Sequence, residues 1–312
     1  MAVCVCLQYQ PLHRLPDLHH GLQVDLEEEV AAQIALTLVP ELEAAEARRV
    51  LRSKTDNLSA WDLSMQAAWH ANRGAAANYD LAERLALQAA ELAPDWYLPF
   101  SLVAVCRFQK AMNGFSAADS RTAFADTLKA AQQALEVDRN SWIAHALAGV
   151  GELWTNLNHD RAQLHVTRAI ELNPCAPQNY HFGGCITGFS GDPDGARRFQ
   201  ERILRIDPVY TYTAVIEADL GLWHMLSGNL DRADHRLNRA ETWDPRYGRA
   251  LQRRIALSGL QGDRDRAQSA ARKLSDLGLP LDRRLIADSY PFRREEHREI
   301  FLDGLQRSGI NF

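Results

Sequence analysis

The chain has 312 residues, 46% of them hydrophobic and 24% charged, and a formal net charge of -5. That balance is ordinary for a soluble folded protein, and the negative net charge excludes a general attraction to nucleic acid or to an anionic membrane. No window approaches the ~20 apolar residues that span a bilayer, the start Met1-Ala2-Val3-Cys4 carries no basic leader, and five scattered cysteines exclude a disulfide-stapled secreted fold, so a reducing cytoplasm is the expected compartment.

Residues 1–21 carry no helical period, and Pro11, Pro16 and Gly21 interrupt them; they are unassigned and read as disordered, a remnant or a linker. From Leu22 onward Val24, Leu26, Val30, Ile34, Leu38 and Leu42 recur at helical spacing. Glu27-Glu28-Glu29 stand near the start, where the helix dipole favours acid. Residues 22–56 are therefore predicted as an N-terminal helix, either a cap for the first repeat or part of a separate segment. Ser59 is the predicted N-cap of the next helix.

Residues 57–280 are dominated by a period. Asp160-Arg161-Ala162 leads through Ala169 to Asn173-Pro174, and 34 residues later Asp194-Gly195-Ala196 leads through Ile203 to Asp207-Pro208. Carried outward, the small residue recurs as Ala82, Ala162, Ala196, Ala233 and Ala267, and a proline closes each unit at Pro94, Pro174, Pro208, Pro245 and Pro280. The alanine suits a close helix crossing that a larger side chain would overpack, and proline cannot continue a helix. Two helical turns after each alanine come Ala89, Ala169, Ile203, Ala240 and Leu274 on the same face. Gly191-Asp192, Gly228-Asn229 and Gly262-Asp263 read as turns inside the pairs. A period of 34 is that of the tetratricopeptide (TPR) unit, two antiparallel helices and a turn.

The expected fold is therefore all-α, a TPR-like right-handed superhelical solenoid of about six antiparallel helix pairs. One irregular unit lies between Trp96 and Asp138, with an enlarged turn at 113–119 and Arg139 in place of proline, and the step from Ala196 to Ala233 implies an insertion near Val209–Thr213. Residues 281–312 leave the period and are predicted as capping helices, with Phe301, Leu302 and Leu305 on one face.

The chain resembles the C-terminal part of bacterial class III adenylate/guanylate cyclases, in which TPR repeats follow a TolB-like segment, and related TPR regions of winged-helix transcriptional regulators. The resemblance runs over residues 22–312. It rests on Val30-Ala31-Ala32-Gln33-Ile34 through Pro40-Glu41-Leu42-Glu43-Ala44-Ala45-Glu46, on Asn57-Leu58-Ser59-Ala60-Trp61-Asp62-Leu63, and on Tyr290-Pro291-Phe292-Arg293-Arg294 with Gly304-Leu305-Gln306-Arg307-Ser308-Gly309. It implies that residues 22–56 are the remnant of a TolB-like segment and that the chain is a sensory or docking part. It carries over no catalytic residue.

No Walker loop, nucleophile elbow, His-Glu-x-x-His or Cys-x-x-Cys occurs, so no enzyme activity, catalytic residue, cofactor or metal is expected. His181 and Cys185 share one helical face, but no third ligand stands at a useful spacing, and they read as a packed or groove-lining pair. His145, His159 and His165 read as solvated, as does the basic end Arg283, Arg284, Arg293, Arg294 and Arg298. Cys4-x-Cys6 with His13, His19 and His20 reads as a chance grouping.

With Gly184 and Gly221 as close-packing positions, the first helices project Phe108, Trp154, Gln178, His181, Leu222, Met225, Arg249 and Gln252 onto a protein-binding groove. That mixed surface suits a protein or peptide more than nucleic acid. The expected function is a non-enzymatic scaffold for protein–protein interaction in bacterial signalling or regulation. The alternative is a regulatory fragment of a cyclase or winged-helix regulator, acting with a separate catalytic or DNA-binding part.

Overall fold

A computed structural model describes residues 59–73, 75–112, 120–207, 210–279, 282–283, 286 and 289–311. The expectations for 1–21 and 22–56, the 113–119 turn, Pro208, Pro280 and Arg284 lie outside them.

The described residues hold thirteen helices and no strand. Six antiparallel pairs succeed one another: α1 (Ala60–Ala71) with α2 (Ala76–Leu92), α3 (Tyr97–Met112) with α4 (Ser120–Val137), and α5 (Trp142–Asn156) with α6 (His159–Leu172). Then come α7 (Pro177–Phe189) with α8 (Pro193–Ile206), α9 (Thr213–Leu226) with α10 (Leu230–Trp243), and α11 (Gly248–Gln261) with α12 (Arg264–Asp276); α13 (Glu295–Arg307) is the last. The link from α8 to α9 has six residues where the other links between pairs have four, which places the insertion where the period implied it.

The helices fall into two compact units. One runs to Gly151 and includes Leu164–Asn179; the other takes Glu152–Gln163 and the chain from Tyr180 onward.

In the first unit Ser59 caps α1 as expected. Its hydroxyl accepts from the Asp62 amide at 3.2 Å and the Asp62 carboxylate accepts from the Ser59 amide at 3.4 Å, a reciprocal capping box. Ala82, Ala89 and Ala169 are fully buried. In the irregular unit Thr127 and Ala134 of α4 are buried in the same way, so a threonine holds a position where alanine recurs elsewhere. Arg107 and Lys110 on α3 bind Glu83 on α2 at 2.8 and 2.6 Å and tie the first pair to the second.

In the second unit Ala162, Ala196, Ala233 and Ala267, followed by Ile203, Ala240 and Leu274, are all fully buried. The glycines singled out in the sequence meet the carbonyls of two of these alanines. A Cβ added at Gly184 would stand 3.2 Å from the Ala196 oxygen and 2.7 Å from Gln200 Cγ, and one at Gly221 would stand 3.4 Å from the Ala233 oxygen. Gly191, Gly228 and Gly262 all have positive φ, which lets each first helix end within two residues of the next cap. Asp192 and Asp263 accept from the amides of Gly195 and Arg266 at 2.8 and 3.0 Å.

α13 packs on α11 through glycine against glycine: a Cβ at Gly259 would overlap the Gly304 carbonyl oxygen. Its buried face is His297, Phe301, Gly304 and Leu305, whereas Leu302 is only half-buried. The contact is set by the backbone approach at Gly304, which turns Leu302 off the axis of contact.

Ala196→Leu adds three heavy atoms at a crossing with no free space, so it should lower stability by roughly 1–3 kcal/mol. Arg198→Leu, two residues on and 74% exposed at the side chain, should change it far less. Urea melts of the two variants check this, and equal midpoints for Ala196→Leu and wild type would remove the crossing from its assigned place.

Candidate functional site

The second unit carries a buried charged cluster beneath a segment of its own chain. Asp219 lies on α9, 2% exposed, and is the centre of the cluster. Its Oδ1 binds the Arg253 guanidinium of α11 at 2.6 Å. Its Oδ2 accepts from the Cys185 thiol of α7 at 3.2 Å and from the Gln200 amide of α8 at 3.1 Å, and stands 3.5 Å from His181 Nε2. Gln200 is itself oriented by Trp223, whose indole N–H donates to Gln200 Oε1 at 2.8 Å.

Burial alone would raise the Asp219 pKa, but Arg253 and the bonds from His181 and Cys185 outweigh it and hold the carboxyl at about 2. Burial, and then the Asp219 charge, push the Cys185 thiol well above its ordinary range. Asp219 and Arg253 are 34 residues apart, the same step as Ala233 to Ala267, so they hold one position in consecutive repeats. Opposite charges one repeat apart on the first helices were the available sequence signal for this pair.

Above the cluster lies Ser289–Arg293. The Ser289 carbonyl accepts from Trp154 Nε1 and from Arg249 Nη1, both at 3.3 Å, and its hydroxyl meets Arg249 at 2.7 Å. The Tyr290 hydroxyl donates to Gln252 Oε1 at 3.2 Å, and the Arg249 and Arg253 guanidiniums stand 4.7 and 5.7 Å from its ring. Phe189 packs against Trp154, Trp223, Tyr290 and Phe292, and its carbonyl accepts from the Arg293 amide at 2.9 Å. Arg293 reaches Asp160 at 2.6 Å.

The eight residues projected onto a groove meet four fates. Trp154, Arg249 and Gln252 come together on the Ser289–Tyr290 segment, and His181 joins the cluster. Phe108 belongs to the first unit, where it is half-buried with its ring 6.4 Å from Phe124, and Gln178 is half-buried in the first turn of α7. Leu222 and Met225 are corrected: they are 0% and 1% exposed. α9 is enclosed by α8, α10, α11 and α13, so it has no open inner face to project.

The histidines also differ from expectation. His159 is buried against the Ser190 hydroxyl at 3.2 Å, its pKa lowered by burial and by Arg293, and His145 Nδ1 stands 3.0 Å from His165 Nδ1. Both were invisible in sequence because their partners are 31 and 20 residues away.

No protein-family model matches the sequence, and no curated protein matches it. Among solved structures, the human IFIT1 dimer with m7Gppp-AAAA is similar at a TM-score of 0.62 and 13% identity, over 85% of this chain and 59% of that one. The Cut9–Hcn1 hetero-tetramer of APC/C is similar at 0.58 and 12%, over 81% of this chain and 43% of that one. TTC0263, a TPR protein of Thermus thermophilus, is similar at 0.47 and 14%, over 70% of this chain and 100% of that one. The fold is that of the TPR helical arrays. At these identities the likeness is one of fold; this chain spans 59% of the IFIT1 chain and 43% of the Cut9–Hcn1 chain. No described helix is long and apolar enough to cross a membrane.

Two outcomes test the electrostatics. Asp219→Asn leaves the Arg253 charge buried without its partner and should lower stability by roughly 3–5 kcal/mol in urea melts; a change under about 0.5 kcal/mol, the range of neutral surface substitutions, would remove the pair from the core. His224 on α9 is buried, and burial with Arg197, Arg236 and Arg232 lowers its pKa to about 4. The unfolded chain therefore takes up that proton first, and the stability held by neutral His224 is full above 6.5 and is lost as pH falls toward 4. Urea midpoints should drop across that window, and the drop should be smaller in His224→Gln.

Proposed function

We propose that this chain is a non-enzymatic TPR scaffold whose second unit holds a short non-helical protein segment across Trp154, Arg249 and Gln252. One observation carries the reading: that surface already grips a short non-helical stretch of main chain, the chain's own Ser289–Arg293. Two donors converge on one backbone carbonyl, and a tyrosine ring lies over guanidinium groups, a combination that recognises peptide geometry and an aromatic side chain together. A partner with an aromatic-Pro-aromatic segment would use the same contacts.

The IFIT1 structure contains m7Gppp-AAAA, so the fold by itself does not exclude a nucleotide ligand, and the exclusion drawn from net charge is withdrawn. The peptide reading is favoured because Arg253 is neutralised by Asp219 and Arg249 is engaged with Ser289. A role in signalling or regulation beside a cyclase or a winged-helix partner rests on the sequence resemblance alone, and the cytoplasmic location rests on cysteine usage.

The test uses a labelled peptide of the sequence Ser289–Arg294 and fluorescence anisotropy. Tyr290→Ala, with helix content checked by circular dichroism, weakens the tethered segment and should bind the peptide saturably. Wild type should bind it at least about tenfold more weakly, because a tethered competitor acts at millimolar effective concentration. Adding Arg249→Ala should abolish binding, and a peptide bound by neither protein would overturn the proposal.

A further inference from the structure

Among the places in the described residues that gather polar groups or open space are the His145–His165 pair, the Arg254 network, the recess beside Phe292 and the Asp219 cluster. His145 and His165 face each other through their Nδ1 atoms, and the other His145 nitrogen meets the Arg139 carbonyl at 3.0 Å. Arg254 is bound on α10 by Asp234, Glu241 and Asn238, and its charge is matched there. The recess is open and lined by the α5–α6 turn with Phe292 and Arg293. The cluster carries more.

We infer that His181, Cys185 and Asp219 form a binding site for a divalent zinc-like metal ion, with Arg253 and Gln200 as its outer support. The donor set is one imidazole nitrogen, one sulfur and one carboxylate oxygen, the mixture that suits tetrahedral Zn²⁺. The three ligand atoms all lie within 4.8 Å of one another, with Asp219 Oδ2 3.2 Å from Cys185 Sγ and 3.5 Å from His181 Nε2. Ligand atoms about 2.0–2.3 Å from a tetrahedral metal are separated by roughly 3.3–3.6 Å, so an ion fits between them after small side-chain shifts. Hydrogen-bonded neighbours become ligands of one ion when the proton between them leaves.

The surrounding residues support this assignment in three ways. Arg253 occupies Oδ1 of Asp219 and leaves Oδ2 turned toward His181 and Cys185, so the guanidinium orients the ligand without taking its metal-facing oxygen. Gln200 Nε2, fixed by Trp223, stands 4.0 Å from Cys185 Sγ and is placed to donate to a thiolate. Tyr210 stands edge-on to His181 at 6.5 Å, and its buried hydroxyl has no hydrogen-bond partner among the described residues. An unpartnered buried hydroxyl is costly, and this one belongs to the ring that packs on the His181 ligand.

Binding breaks the Cys185 S–H bond and releases one proton to solvent. Nothing is oxidised or reduced. The ion adds two positive charges and the thiolate one negative, and Asp219 and Arg253 keep theirs. Because a ligating cysteine must lose its proton, metal and proton compete for the same sulfur. The ion would bind α7 to α9 directly beneath the segment-holding surface.

The test uses the full chain, freed of metal by a chelator, with Co²⁺ as the optical probe. Wild type should take up one equivalent, with a thiolate-to-cobalt charge-transfer band and the intense visible bands of tetrahedral cobalt, both displaced by Zn²⁺. Cys185→Ser should lose the charge-transfer band and His181→Gln should weaken binding at least about tenfold, each with unchanged circular dichroism. Cys106→Ser, Cys175→Ser and the double variant Cys4→Ser/Cys6→Ser should keep the band. A wild-type protein without the band overturns the inference with no variant needed, as does a band that survives Cys185→Ser or disappears in Cys4→Ser/Cys6→Ser.

Discussion

The fold depends on how closely two helices approach at a residue with no side chain beyond Cβ. Ala162, Ala196, Ala233 and Ala267 are fully buried, and at Gly184 and Gly221 the facing helix has even the Cβ removed. Backbones this close bury a continuous strip of the second helix, and the neighbouring large side chains then interdigitate at the density of a protein interior. The same device recurs once outside the period, where Gly259 meets Gly304 and seats α13 on α11. A repeat array leaves the face of its last pair bare, and here a helix unrelated to the period covers it.

Covering that face brings Ser289–Arg293 along with it. The segment is irregular because Pro291 cannot continue a helix; Ser289 and Tyr290 lie in a turn and a bend, and the Phe292 amide donates to the Tyr290 carbonyl at 2.9 Å. Main chain outside a helix leaves carbonyls without a ladder partner, and Trp154 and Arg249 satisfy the one at Ser289. The surface under the segment is thus made of donors and rings, and what it holds is part of the chain itself.

Beneath it, a charged pair sits where a solenoid more often places apolar residues. Removing Asp219 and Arg253 from water costs several kcal/mol each, and their ion pair with the hydrogen bonds to Asp219 offsets part of that cost. Arg253, Gln200, Cys185 and His181 surround Asp219 with partners, so the cluster draws on four helices. Such a network tolerates one arrangement of α7, α8, α9 and α11 and penalises others, so it confers specificity on the packing even where its net contribution to stability is small.

The sequence alone determined the helices, their pairing and their crossing points. Each is encoded locally: alanines and glycines at a 34-residue step, glycine-acid turns, and Ser59 three residues before Asp62. Local periodicity survives translation into structure because a helix places residues on its faces by geometry alone. It also led to Trp154, Arg249 and Gln252, though not to the segment they hold. What only the tertiary structure decided was which faces stay open and which distant groups meet. Leu222 and Met225 were assigned to an inner face by a projection that holds for a helix with solvent on one side, and α9 is enclosed on all sides. His181 and Cys185 lacked a third ligand because Asp219 lies 34 residues beyond Cys185 on another helix. Periodicity reports the direction a side chain points; burial and chemistry depend on what stands opposite, and that is set by contacts between helices far apart in the chain.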